Sequence, residues 1–111
     1  MSSKFSMSES EFIELADVTL ASIERAIDAT DADIEASRAG NVLTLELCNR
    51  SRVVVNSQTP MQQMWVAGKS GAFHYVRSGS QWIDTRDGSE LFRALSRLIS
   101  AQGGEAVVLR S

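Results

Sequence analysis

The chain has 111 residues, is 43% hydrophobic and 23% charged, and carries a net charge of −3. That suits one domain, with enough residues for a single core but not two. No apolar run approaches the ~20 residues of a membrane span, and the one cysteine, Cys48, excludes an internal disulfide and a Cys-based metal site.

The first residues, Met-Ser-Ser-Lys-Phe-Ser-Met-Ser, lack the apolar stretch of a signal peptide and the Arg-rich pattern of a mitochondrial presequence. The protein is therefore expected to stay in the compartment where it is made, and its cysteine usage fits a reducing cytosol.

The first predicted element is a long amphipathic helix from residue 9 to about Thr30. Ser8 or Ser10 caps it, with Glu11 at capping-box spacing from Ser8. Phe12, Leu15, Ala16, Leu20, Ile23, Ala26 and Ile27 recur on one face, and no Pro or Gly interrupts them.

Short alternating segments follow. Residues 33–38 read as a weak first strand, and Ala39-Gly40-Asn41 as a turn. In residues 42–48, Leu43, Leu45 and Leu47 face one way and Thr44, Glu46 and Cys48 the other. After Asn49-Arg50-Ser51, the β-branched run Arg52 to Asn56 reads as a central strand. Pro60, the only proline, permits a bend, and Met61 to Ala67 makes the next strand. Residues 72–77 and 81–85 are strands around Ser78-Gly79-Ser80.

A second helix begins near Ser89, its expected N-cap, presents Leu91, Phe92, Leu95, Leu98 and Ile99, and ends at Gly103-Gly104. The apolar tail Ala106 to Leu109 is expected to pack back on the domain. The fold class is therefore α+β: two terminal helices on one face of an antiparallel sheet of about six strands, with the other face open.

Charge is unevenly divided. Residues 1–35 carry nine acids and two bases, while residues 36–111 carry five acids and nine bases. Such a polarised chain attracts cations or a basic protein surface at its acidic end and repels nucleic acid and anionic lipid. The later bases are scattered and not interleaved with aromatics, so neither nucleic acid nor membrane is an expected partner.

At about 100° per residue, Glu14, Asp17, Glu24, Asp28 and Asp31 share one helical sector beside the apolar face. Asp33 and Glu35 extend the row towards the first strand. Three readings stand side by side: a solvated face, a shallow all-oxygen surface for Fe²⁺, Fe³⁺, Mn²⁺, Ca²⁺ or Mg²⁺, and a docking surface for a basic protein patch.

Strand parity places Asn56 and Gln58 together, and Gln63 and Trp65 together. If Leu43, Leu45, Leu47, Met64, Phe73, Tyr75 and Trp82 fill the helix-facing side, Trp65 lies outside among amides as a protein-binding anchor; the alternative is a core Trp rimmed by glutamines. His74, the only histidine, lacks neighbours for catalysis or metal binding and reads as a polar strand residue. No P-loop, Gly-rich dinucleotide turn, nucleophile elbow or HExxH occurs, and no catalytic residue is expected.

The segments Ser-Glu-Phe-Ile-Glu-Leu-Ala-Asp at 10–17, Asn-Val-Leu-Thr-Leu at 41–45 and Asn56-x-Gln58-Thr59-Pro60-x-x-Gln63-x-Trp65 resemble the bacterial frataxins. So do Gly71-x-x-His74-Tyr75 and Trp82-x-x-x-x-Asp87-Gly88. The resemblance runs from about Ser8 to Gly104 and implies a single frataxin-like domain acting in iron–sulfur cluster assembly. It implies weak iron binding on a ridge of Glu24, Asp28, Asp31, Asp33 and Glu35.

It further implies docking on the cysteine desulfurase–scaffold complex through Asn56, Gln58, Gln63, Trp65 and His74, in a bacterial cytoplasmic protein that is monomeric without iron. Arg25 and Ala29 stand where further ridge acids are expected. Arg25 is placed to pair with Glu24 or Asp28 and so to lower the iron capacity. The alternatives are an iron carrier or store, and an acidic interaction domain indifferent to metal.

Overall fold

The fold is described by a computed structural model over residues 7–111. Residues 1–6, including Lys4 and the rest of the N-terminal reading before Met7, lie outside the described residues.

Helix α1 (Glu9–Asp28) opens with the expected capping box. The Ser8 hydroxyl accepts the Glu11 N–H at 3.1 Å, and the Glu11 carboxylate accepts the Ser8 N–H at 2.8 Å. Two of the helix's orphan donors are thereby satisfied. The helix stops two residues before the expected Thr30. The Thr30 hydroxyl and N–H both bond to the Ile27 carbonyl, closing the last turn locally.

Six strands follow: β1 (Glu35–Ala39), β2 (Val42–Glu46), β3 (Arg52–Gln58), β4 (Gln63–Gly68), β5 (Gly71–Ser78) and β6 (Gln81–Asp84). Each pairs antiparallel with the next in the order β1-β2-β3-β4-β5-β6. The first strand starts two residues later than its expected start. Met61 is not in a strand: Thr59–Met61 forms one 3₁₀ turn around Pro60, and Gln62 leaves it in the left-handed region at φ 53°.

Helix α2 (Leu91–Gly103) is capped by Glu90 rather than Ser89. The Glu90 carboxylate accepts the Phe92 and Arg93 N–H groups at 3.0 and 3.2 Å. Ser89 is occupied otherwise, its carbonyl accepting the Asp84 N–H and extending the edge of β6. Gly104 closes the helix at φ 77°, a conformation that suits glycine.

Both helices lie on one face of the sheet. Phe12, Ala16, Leu20, Ile23 and Ile27 of α1 are buried together with Leu43, Leu45, Val53, Val55, Met64 and Val66 from the strands. Phe12 meets Trp82 edge-on, with ring centroids 6.0 Å apart. The buried Trp82 indole N–H donates to the Thr19 hydroxyl at 2.9 Å, so its polar atom is paired.

The tail packs back as expected, burying Val107 and Leu109. The Ser100 hydroxyl bonds both the N–H and the carbonyl of Val107, and the Ser96 hydroxyl accepts the Leu109 N–H. Gln102 ties the end of α2 to two loops, donating to the Ser51 hydroxyl and the Arg52 carbonyl and accepting the Lys69 N–H.

Candidate functional site

Two surfaces carry the predicted residues, and they meet at β1, where the register turns Glu35 to the same outward sheet face as Asn56. The first is the acidic row. Asp28 lies at the end of α1, Asp31 and Asp33 lie in the connection, and Glu35 begins β1; all four are exposed. Glu24 is half-buried on α1.

The sequence missed the row's main counter-charge. Arg38 of β1 reaches back to α1, where its guanidinium pairs with Asp17 and lies 3.5 Å from Glu24. Arg25, expected to serve that purpose, instead donates to the Ser22 hydroxyl at 3.1 Å on its own helix. Arg25 and Ser22 are three residues apart and share a face, whereas Arg38 meets α1 only once β1 has been laid beside it.

The row is thus split. Its upper part, Asp17 and Glu24, shares the single positive charge of Arg38. Its lower part, Asp28, Asp31, Asp33 and Glu35, makes no ion pair among the described residues. The tail brings another acid to this end, since the Glu105 carboxylate accepts the Asp33 N–H at 3.4 Å.

Among the described residues no three His, Cys, Asp or Glu side chains converge into a group that could hold a metal ion. An ion on this row would therefore meet one or two carboxylates and keep much of its water, which suits weak binding of hard cations.

The second surface is the sheet face turned away from the helices. Alternation puts Met64, Val66, Tyr75 and Trp82 inward and Asn56, Gln58, Gln63, Trp65 and His74 outward. Register brings the outward residues together: Asn56 lies opposite Trp65, Trp65 opposite His74, and Gln58 opposite Gln63.

The Trp65 indole N–H donates to the Gln63 amide oxygen at 2.8 Å. Its ring stacks on the His74 imidazole, with centroids 4.4 Å apart and planes 17° from parallel. Trp65 is consequently outside the core, as expected, but half-buried beneath its neighbour. His74 is more than a polar strand residue: it forms one layer of a flat aromatic pair. The signal was present in the sequence, because the tight turn between Gly68 and Gly71 sets residues 65 and 74 opposite each other.

Comparison with known proteins places this geometry. The family model for the frataxin-like domain matches residues 5–105. The chain belongs to the frataxin-like family. It is 54% identical over 109 residues to the iron-sulfur cluster assembly protein CyaY of Janthinobacterium sp. (strain Marseille), covering 94% of this chain and 97% of that protein. The CyaY protein of Cupriavidus necator is 52% identical over 107 residues, covering 93% of this chain and 96% of the relative.

A solved frataxin from Psychromonas ingrahamii matches with a TM-score of 0.88 and 37% identity, covering 95% of this chain and all of that one. The two-helix, six-strand arrangement of this frataxin-like protein is that of its family. Among its described residues no helix is long and apolar enough to cross a membrane.

Proposed function

We propose that this frataxin-like protein is a non-catalytic, iron-binding adaptor of iron–sulfur cluster assembly that docks on the cysteine desulfurase–scaffold complex and modulates its rate. The observation that carries the reading is the pairing of two unlike surfaces on one sandwich: an exposed acidic end and, on the open sheet face, an amide-rimmed Trp65–His74 pair. The names of its CyaY relatives support the pathway.

In this reading Asp28, Asp31, Asp33 and Glu35, with Glu24 partly engaged by Arg38, hold Fe²⁺ or Fe³⁺ weakly and also steer the protein to a basic partner surface. Other divalent cations compete. Asn56, Gln58, Gln63, Trp65 and His74 form the flat contact for the second partner, with Trp65 as anchor. The protein works as a single domain in the bacterial cytoplasm and is monomeric without iron. The scattered carboxylates favour docking over storage, because a store needs many ligands for each ion.

The test is a desulfurase and cluster-assembly assay with the wild type, Trp65→Ala, and a variant combining Asp28→Ala, Asp31→Ala and Asp33→Ala. The wild type is expected to bind the complex and change its rate, and each variant to lose most of that effect. A wild type that neither binds nor alters the rate defeats the proposal.

A further inference from the structure

A cleft of about 250 Å³ opens between α2 and the helix-facing side of β4, β5 and β6. It belongs to neither surface described above, lying across the sheet from Trp65 and outside the α1 acidic row. Its walls are apolar, formed by Val66 and Phe73 from the strands and Leu95 and Leu98 from the helix. Its polar lining comes from Ser70, Tyr75, Asp84, Asp87, Ser89 and Arg97.

Two polar side chains here are buried yet incompletely bonded. Tyr75 is 2% exposed, and no hydrogen-bonding group among the described residues meets its hydroxyl. Asp84 is 6% exposed; its Oδ1 accepts the Arg86 N–H at 2.7 Å, while its Oδ2 has no bond among the described residues. Every sealed side-chain nitrogen or oxygen among those residues has a partner. The phenolic oxygen and Asp84 Oδ2 therefore meet open space, and the cleft they both line is where they meet it.

The charges around this end are unequal. Asp84, Asp87 and Glu90 face Arg86 and Arg97. Both Glu90 oxygens are spent capping α2. Arg86 is turned to the Ala72 carbonyl and lies over the Phe73 ring. Arg97 donates to the Ser89 hydroxyl at 3.3 Å. Asp87 is engaged by Ser89, its Oδ1 accepting the Ser89 N–H at 2.9 Å, while Asp84 keeps Oδ2 free to accept. Burial, with the nearby Asp84 and Asp87 charges, pushes the Tyr75 phenol up to about 12, so it stays neutral and adds no third negative charge.

We propose that this cleft binds a small apolar molecule bearing a protonated amine, with the ammonium on Asp84 and Asp87 beside the Tyr75 hydroxyl and the apolar body against Val66, Phe73 and Leu98. The volume limits the ligand to about one ring, since pockets for drug-sized molecules begin near ~300 Å³. The ammonium would satisfy Asp84 Oδ2 and the phenolic oxygen together, and the apolar walls would bury the remainder.

The test is a ¹⁵N NMR titration of the full chain with phenethylamine and with its neutral counterpart phenethyl alcohol, repeated on Asp87→Asn, Tyr75→Phe and Ala101→Trp. Phenethylamine is expected to give saturable shifts centred on Phe73, Asp84 and Leu98. The alcohol should bind about tenfold more weakly, the loss expected for a charge-assisted hydrogen bond. Asp87→Asn and Tyr75→Phe should each weaken the amine, and Ala101→Trp, at the mouth, should block it. Asp87 is exposed and Tyr75→Phe keeps the packed ring, so both variants should remain folded. Absent or non-saturating shifts, equal affinity for the two probes, or unchanged amine affinity in Asp87→Asn would overturn the proposal.

Discussion

Single residues decide how the acidic end behaves. Arg38 holds Asp17 and Glu24, and both pairs are partly exposed, so Arg38→Ala should cost only about 0.2–1 kcal/mol of stability. The same change frees two carboxylates, and divalent-cation affinity should rise, as Mn²⁺ line broadening would measure; unchanged broadening would show that Arg38 does not restrain the row.

Tyr75 gives a pH signature. Its folded pKa is raised from 10.0 to about 12, first by burial and then by the neighbouring Asp84 charge. Above pH 10 the unfolded chain has lost a proton that the native state keeps, so stability should fall as pH rises from 10 towards 12. Tyr75→Phe should flatten that fall in alkaline denaturation curves; an unaltered slope would place the titration elsewhere.

At the scale of elements, local signals were legible and long-range ones were not. The Ser8–Glu11 box was readable because both partners lie within one turn. Ser8→Ala should cost about 1 kcal/mol in urea unfolding. Leu43 and Leu45 announced β2 by alternation, since a strand buried on one face must repeat every second residue.

The cap of α2 falls on Glu90 although serine is the residue that commonly caps a helix. The choice rests on the bond from Asp84 to Ser89 at the sheet edge, a tertiary fact. The tail was expected to dock, but its fastening by Ser96 and Ser100 depends on where the α2 surface lies. Removing residues 105–111 exposes the surfaces that Val107 and Leu109 cover. At about 1.5–3 kcal/mol for each buried side chain, this should lower unfolding free energy by several kcal/mol in the same urea measurement.

For the whole molecule, charge separation governs association. The acidic row has unpaired members within a Debye length of one another, and they repel. Cations that bind the folded state should raise the melting temperature by linkage. Millimolar Mn²⁺ or Ca²⁺ should therefore stabilise the wild type more than the variant combining Asp28→Ala, Asp31→Ala and Asp33→Ala, as calorimetry would show. Equal shifts would remove the row as the site.

The sequence alone determined the order of elements, the side of the sheet that is buried, the family, and the polarity of the chain. The family follows from the resemblance of its motifs, and the rest from periodicity and composition, which are local properties. Only the tertiary structure decided that Arg38 divides the acidic row and that Tyr75 and Asp84 share a cleft with Arg97. Each of those meetings joins residues from different elements, and the energy of such a contact exists only after the sheet has set its register and the helices have been laid across it.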